Sequence, residues 1–233
     1  MKKLMFLSII VLSALMISCN KQTAQNEQKD EITAPASQEV AALRVAMDLA
    51  KYGYEVESAS ALIEAANILA SVPTQVFDAE QELREATDNE AEKTEKAQLS
   101  VESLLADARE MAFENTLLLS MADNVAAKAA AQTEGTRGAV GGPRTGYGRV
   151  YARDYSYYSV KFWANEIAEI LVSGDGDTDL DLYVYDENGN LIASDTDYTD
   201  DCYVRFVPRW TGTFAVKIVN RGPVYNNYVI ATN

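Results

Sequence analysis

The stretch Ser173–Asn190, S-G-D-G-D-T-D-L-D-L-Y-V-Y-D-E-N-G-N, constrains what this chain folds into more than any other. Leu180–Tyr185 alternates apolar and polar side chains. A strand there puts Leu180, Leu182 and Val184 on one face and Asp179, Asp181, Tyr183 and Tyr185 on the other. The Asn188-Gly189 pair that follows favours a two-residue hairpin, because both turn positions need φ > 0. A half-buried strand that leaves through such a turn belongs to an antiparallel sheet with a single core face.

The same period of two runs through the C-terminal third. It predicts strands at Tyr157–Trp163, Glu166–Val172, Leu180–Tyr185, Asn190–Ser194, Cys202–Val207, Thr213–Val219 and Tyr225–Ala231. Gly, Asn, Asp and Pro punctuate them at the spacing of a β-sandwich or barrel. Phe214, Val216 and Ile218 are expected in the core, and Thr213, Ala215 and Lys217 on the other face. The net-basic, glycine-rich stretch Gly135–Gly148 reads as a linker and protease-sensitive boundary.

Upstream the period is helical. Ser37 is a plausible N-cap for a helix with Val40, Leu43, Met47 and Ala50 on its apolar stripe, ending at Gly53. A second helix is predicted over Glu55–Ser71, stopped by Pro73, and a shorter third element over Thr74–Thr87. The longest helix is predicted from Glu90 to Ala131. Its stripe, Ala97, Val101, Leu104, Ala108, Met111, Asn115, Leu118, Ala122, Val125 and Ala129, advances in steps of four and three. The expected arrangement is an alanine-rich antiparallel bundle. The alternative is a coiled-coil oligomer in which Asn115 sets the register.

The first nineteen residues have the anatomy of an export signal: Lys2 and Lys3, an apolar run over Leu4–Ile17, then Ser18-Cys19. The run is too short and wrongly flanked for a stable membrane span. It resembles a bacterial lipoprotein lipobox, with Met16 standing where leucine is commoner. That resemblance implies cleavage before Cys19 and its acylation, tethering the chain to the membrane through lipid. Asn20, not aspartate, follows the cysteine, which implies the outer membrane, with the periplasmic or surface face left open. Residues 20–36 are polar, without aromatics, and read as a disordered tether. With Cys19 lipidated, Cys202 has no disulfide partner, so the exported chain relies on packed cores. The resulting expectation is a multi-domain α + β chain. It comprises a signal peptide (1–19), a tether (20–36), an antiparallel helical bundle (37–133), a linker (134–149) and a jelly-roll-like antiparallel β-sandwich (150–233).

Charge and composition narrow the function. Twenty basic residues face 35 acidic ones, a net charge of −15, which repels phosphate backbones and argues against nucleic acid. There is no histidine, which removes Ser-His and Cys-His nucleophile pairs and most zinc sites. Neither H-E-x-x-H nor G-x-S-x-G occurs. Paired carboxylates are plentiful, but the β-region is small for a cleft flanked by an acid and a nucleophile. The expectation is a protein without catalytic residues.

Two features of the β-region point to binding. Asp175, Asp177 and Asp179 begin like an EF-hand loop, but Leu180 replaces its glycine and Asp186 its closing glutamate. A candidate calcium site therefore comprises Asp175, Asp177, Asp179 and, from the next acidic loop, Asp197. The competing reading is that these aspartates form turns and guard an edge. Eleven of the thirteen tyrosines follow residue 146. Tyr183 and Tyr185 are candidate ligand-binding residues on the face opposite the core, where Tyr157 and Trp163 are candidates to join them; the competing reading is that they cover the sheet. Cys202, beside Asp201, lacks a basic neighbour in sequence and reads as a structural thiol.

Taken in order, Gly174, the D-L-D-L-Y-V-Y-D strand, L-I-A-S-D, V-R-F-V-P and T-G-T-F-A-V-K-I resemble the bacterial pre-peptidase C-terminal domain over residues 155–233. The resemblance implies a small jelly-roll-like sandwich and a non-catalytic accessory role in export, maturation or binding of extracellular polymers, with calcium bound in some related modules. No peptidase precedes it here. The chain is thus expected to be a lipid-anchored envelope protein whose sandwich binds or scaffolds. Its partners would be the membrane, through lipid, and an extracellular protein or polysaccharide. The alternatives are a calcium-dependent glycan or peptide binder and an accessory subunit of a separate secreted hydrolase.

Overall fold

Ser37 opens the first helix by accepting a hydrogen bond from the Val40 amide at 3.3 Å, which satisfies one of the donors that a first helical turn leaves unpaired. Ser58 does the same for the second helix, and Ser100 and Ser103 form a reciprocal capping box for the third. The computed structural model describes residues 24–28, 31–72, 75–76, 81–82, 99–135 and 144–233. The expected export signal, Cys19 and most of the expected third helical element lie outside them. In chain order the elements are α1 (Gln38–Glu55), α2 (Ala59–Leu69), β1 (Gln75–Val76), β2 (Gln81–Glu82), α3 (Val101–Ala112), α4 (Thr116–Gly135), β3 (Arg144–Val150), β4 (Tyr155–Phe162), β5 (Ala168–Gly174), β6 (Leu180–Tyr185), β7 (Leu191–Asp195), β8 (Asp201–Phe206), β9 (Gly212–Asn220) and β10 (Asn226–Thr232).

The strands form two sheets, a first in the order β1-β3-β10-β5-β8 and a second in the order β2-β4-β9-β6-β7. Neighbours are antiparallel apart from β1 and β3. Between the sheets Leu180, Leu182, Val184, Phe214, Val216, Ile218 and Ile230 are fully buried, and Phe206 nearly so. Phe162 meets Phe206 and Phe214 edge-on at 5.4 and 5.8 Å. The inward faces read from the alternation of β6 and β9 are the observed ones.

Helices cover the other side of the first sheet. Val40 and Leu43 of α1 and Val72 cluster with Leu171 of β5 and Ala231 of β10, and Val229 joins the core of the four helices. That is why every residue of β5 and β10 is buried: these strands have a core on both faces. The helical region and the sandwich therefore share apolar clusters.

Five expectations need correcting. Residues 144–149, read as linker, form most of β3, and glycine is there for space: a Cβ on Gly148 would stand 2.5 Å from the Tyr158 and Tyr228 hydroxyls, which bond each other at 2.6 Å. Where the expected third helical element is described, at 75–76 and 81–82, it is strand. The long helix is two helices. Phe113 takes φ 48°, and Asn115, expected in mid-helix, caps α4 by accepting from the Leu118 amide. Residues 24–28 and 31–36, read as disordered tether, have defined places: Asn26 is fully buried against the sandwich. The first helix also runs past Gly53 to Glu55.

One ion-pair cluster ties α1 to the sandwich. Lys51 Nζ donates to Asp200 at 3.0 Å and to Asp201 at 2.6 Å. Burial works against the Lys51 charge, but the two carboxylates outweigh it and raise its pKa above 10.5. The other Asp200 oxygen accepts from the Gly176 amide and from Asn226 Nδ2. Gly174 leaves room for this, since a Cβ there would come 2.4 Å from Asp200. Replacing Lys51 with methionine strands a carboxylate whose side chain is 8% exposed. We expect Lys51→Met to lower unfolding free energy by about 3 kcal/mol in denaturant titration, against well under 1 kcal/mol for removal of an ordinary surface lysine.

Candidate functional site

With the first sheet covered by helices, the outward residues of the second sheet form the broad face left for a ligand among the described residues. Strand alternation selects them: Tyr155, Tyr157, Ser159 and Lys161 from β4, Thr213, Ala215, Lys217 and Val219 from β9, and Asp181, Tyr183 and Tyr185 from β6. The register sets Tyr157, Lys217 and Tyr183 abreast on three adjacent strands. Lys217 Nζ lies 4.4 Å from the Tyr155 ring centroid and 5.6 Å from that of Tyr157. On the other side Tyr183 and Tyr185 stack at 6.4 Å with 21° between their planes. The four tyrosines and Lys217 are all half-buried. Among the described residues no carboxylate pairs with Lys217.

A polar cluster holds one end of this row. Asp181 is 4% exposed and accepts from Arg221 Nε at 2.6 Å and from the Tyr183 hydroxyl at 3.0 Å, while Arg221 Nη2 donates back to that hydroxyl at 3.1 Å. Burial, then the hydrogen bond to Asp181, pushes the Tyr183 pKa up, so the ring stays a neutral phenol. Beyond the other end, Lys161 Nζ sits 4.9 Å from the ring of Trp163, which is 59% exposed at the mouth of a cavity of about 350 Å³ lined by Arg144, Glu166 and Asn233.

The structure thus joins Tyr183 and Tyr185, singled out in the sequence, to Tyr155, Tyr157, Lys217 and Arg221. Trp163 lies beyond the row, at the end of β4. The contribution of Lys217 was hidden because strand alternation names a face and not which strands adjoin. Flat aromatic surfaces interleaved with fixed donors can stack on an apolar ring face while bonding its polar substituents.

The aspartates expected to bind calcium do not converge. Asp175 Oδ2 accepts from the Asn227 amide at 3.0 Å, Asp177 is exposed, and Asp197 caps its own turn through the Thr199 amide and hydroxyl. Those bonds to Thr199 hold the Asp197 pKa below its ordinary value. Asp179 lies near Asp181 and Asp197 but has a buried Oδ1 without a hydrogen-bond partner. Among the described residues no three acidic or cysteine side chains are placed to hold a metal ion, so this donor set does not fit calcium. Cys202 is 1% exposed in the core with its thiol 3.1 Å from the Leu180 carbonyl, and burial pushes its pKa up, which keeps it unreactive.

Burial first, then Asp181 and Asp197, raise the Asp179 pKa, and Arg221 only partly offsets them. A carboxyl whose pKa is higher in the folded than in the unfolded chain costs stability once ionised in both states; the cost is absent below the ordinary value of 3.8 and complete above the folded value. Asp179→Asn is therefore expected to raise the melting temperature at pH 7, with the gain vanishing below about pH 3.8. Millimolar calcium is expected to shift neither protein. A calcium-dependent rise in the parent that the Asn variant loses would reinstate a metal site.

No protein-family profile matches the chain, and no curated protein matches it. Solved structures with similarity to it include the pre-peptidase C-terminal domain of a Bacillus anthracis collagenase, 13% identical over 38% of this chain and 87% of that one, with a TM-score of 0.32. A periplasmic inhibitor of g-type lysozyme from Aeromonas hydrophila is 11% identical over 39% of this chain and 84% of that one, TM-score 0.31. A carbohydrate-binding module, CBM36, in complex with calcium and xylotriose is 12% identical over 42% and 92%, TM-score 0.27. Similarities of this size leave the functional reading to the chain's own residues.

Proposed function

We propose that this chain is a non-catalytic, lipid-anchored protein of the cell envelope that binds polysaccharide on the tyrosine face of its second sheet. The observation that carries the reading is the row Tyr157, Lys217, Tyr183, flanked by Tyr155 and Tyr185. A sugar ring offers an apolar face for stacking and a rim of hydroxyls, and this surface offers phenol rings beside Lys217, Ser159 and Arg221. Among the described side chains of this face the carboxylate is Asp181, which is buried and held by Arg221, and this favours binding without glycoside hydrolysis.

The wider parts of the reading rest on sequence. The lipobox residues Ser18-Cys19 support acylation, and Asn20 supports the outer membrane. Among the described residues no helix is long and apolar enough to cross a membrane. The strand order supports a jelly roll: counting β3 as first, the sheets run one-eight-three-six and two-seven-four-five, the pattern of a strand pair wound twice around a barrel. Service to a separate secreted hydrolase is compatible with polysaccharide binding and is the second role we assign to the same face.

The test is retention of the purified full chain on insoluble cellulose, xylan and peptidoglycan. We expect retention on at least one, and Tyr183→Ala and Tyr157→Ala each to weaken it about tenfold, about 1.4 kcal/mol. Tyr198→Ala, at a residue 95% exposed and off this face, serves as the control and is expected to bind as the parent does. Retention on none of the three, or full retention by both alanine variants, contradicts the reading.

A further inference from the structure

The residues just after the candidate lipidation site are strapped to one end of the sandwich. Asn26 makes three bonds: its amide donates to Asp186 Oδ2 at 2.9 Å, its Nδ2 to Glu187 at 3.3 Å, and its Oδ1 accepts from the Trp210 amide at 3.0 Å. The Ala24 carbonyl accepts from Asn188 and Asn190 at 3.4 and 3.3 Å. Gln25 Nε2 reaches the Leu191 carbonyl at 3.2 Å, and Gln28 bonds the Val207 carbonyl at 2.8 Å and Asn165 at 2.6 Å. Four residues thus engage the β4–β5, β6–β7 and β8–β9 connections, which lie together at one end. Asp186 is built to hold them. Burial raises its pKa, but the Asn190 side chain and the amides of Asn26, Asn190 and Asn188 outweigh burial and leave it lowered, so the carboxylate is charged at neutral pH.

Cys19 precedes Ala24 by five residues, and five residues span at most about 18 Å in any conformation. Both tryptophans of the chain lie at this same end, Trp163 at 59% exposure and Trp210 with its indole N–H on Glu187. Leu191, 44% exposed, and the exposed Lys161 and Arg209 accompany them. Tryptophan and long basic side chains are the residues that settle at a lipid headgroup layer.

We propose that the strap at residues 24–28 fixes the orientation of the body on the membrane, with the Trp163–Trp210 end of the sandwich against the lipid headgroups. The inference rests on acylation of Cys19 as proposed above. It sets the sandwich against the membrane, although the helical region comes first in the chain. The tyrosine face, running along the strands away from this end, stays clear of the bilayer and open to ligand. The loops at 151–154 and 221–225 point away from the lipid.

The test uses the full-length lipidated protein in phosphatidylethanolamine–phosphatidylglycerol vesicles that carry a headgroup spin label. Quenching of tryptophan emission is compared with quenching of a fluorophore on Pro223→Cys, at the far end. We expect the tryptophans to be quenched severalfold more than the label at 223. Asn26→Asp sets a carboxylate against Asp186 and Glu187, and should abolish the difference between the ends. A flexible twenty-residue insertion between Thr23 and Ala24, which leaves the strap docked, should reduce tryptophan quenching by lengthening the reach. Equal quenching at both ends of the parent, or stronger quenching at 223, overturns the orientation while leaving the anchor intact. A protein that fails to bind the vesicles overturns the anchor and the orientation together.

Discussion

Asp200 is the residue on which the arrangement turns. Its side chain is 8% exposed, a position that costs several kcal/mol unless charge and donors converge on it. They come from three places in the chain: Lys51 from α1, the Gly176 amide from the β5–β6 loop and Asn226 from the start of β10. The contact therefore seats the first helix on the first sheet and at the same time shapes the aspartate-rich loop. Once the helices are seated, Leu171, Val229 and Ala231 are covered and the middle of the first sheet's outer face is closed. The proposed binding is left to the second sheet.

That loop carries carboxylates that alternate along the chain but serve different ends in space. Asp175 is tied to the Asn227 amide and Asp181, on the strand that follows, to Arg221 and Tyr183, while Asp197, in the β7–β8 connection, is tied to its own turn. Each satisfies donors of the fold, and the alternation that makes them look like a ligand set arises because a strand and its approach expose every second residue. Asp181 is the instructive case. It belongs to the outward face, as the alternation requires, yet it is buried beneath Arg221 and orients the Tyr183 hydroxyl.

The sandwich strands were legible because each buries one face or is bounded by turn residues: β6 is read to the residue, and β4, β5, β7, β8, β9 and β10 to within two at each end. The errors share a cause. Gly146 and Gly148 carry loop composition, but glycine in β3 answers to the Tyr158–Tyr228 pair, which lies far away in sequence. The four-three stripe from Val101 to Ala129 passes through the break at Phe113 because α3 and α4 bury the same stripe, Leu104, Ala108, Ala122 and Val125 among it, against the other helices. Periodicity reports which residues are buried, and a break that preserves the buried face is silent. The polar segment 24–28 lacks the apolar residues by which docking is read, because it docks through hydrogen bonds to Asp186, Glu187 and the Trp210 amide. The proposed binding face was half legible: Tyr183 and Tyr185 follow from alternation, and Lys217 between the tyrosines needs the pairing of β9 with both β4 and β6.

The central claim is that ligand meets the chain on the outward side of the second sheet. Hydroxyl-radical footprinting of the full chain, alone and on a retaining polysaccharide, reads this at single tyrosines. The account predicts protection of Tyr155, Tyr157, Tyr183 and Tyr185, with Tyr52, Tyr147 and Tyr198 unchanged. Protection of Tyr147 or Tyr52, on the helix-covered side, with the four tyrosines still reactive, would contradict it.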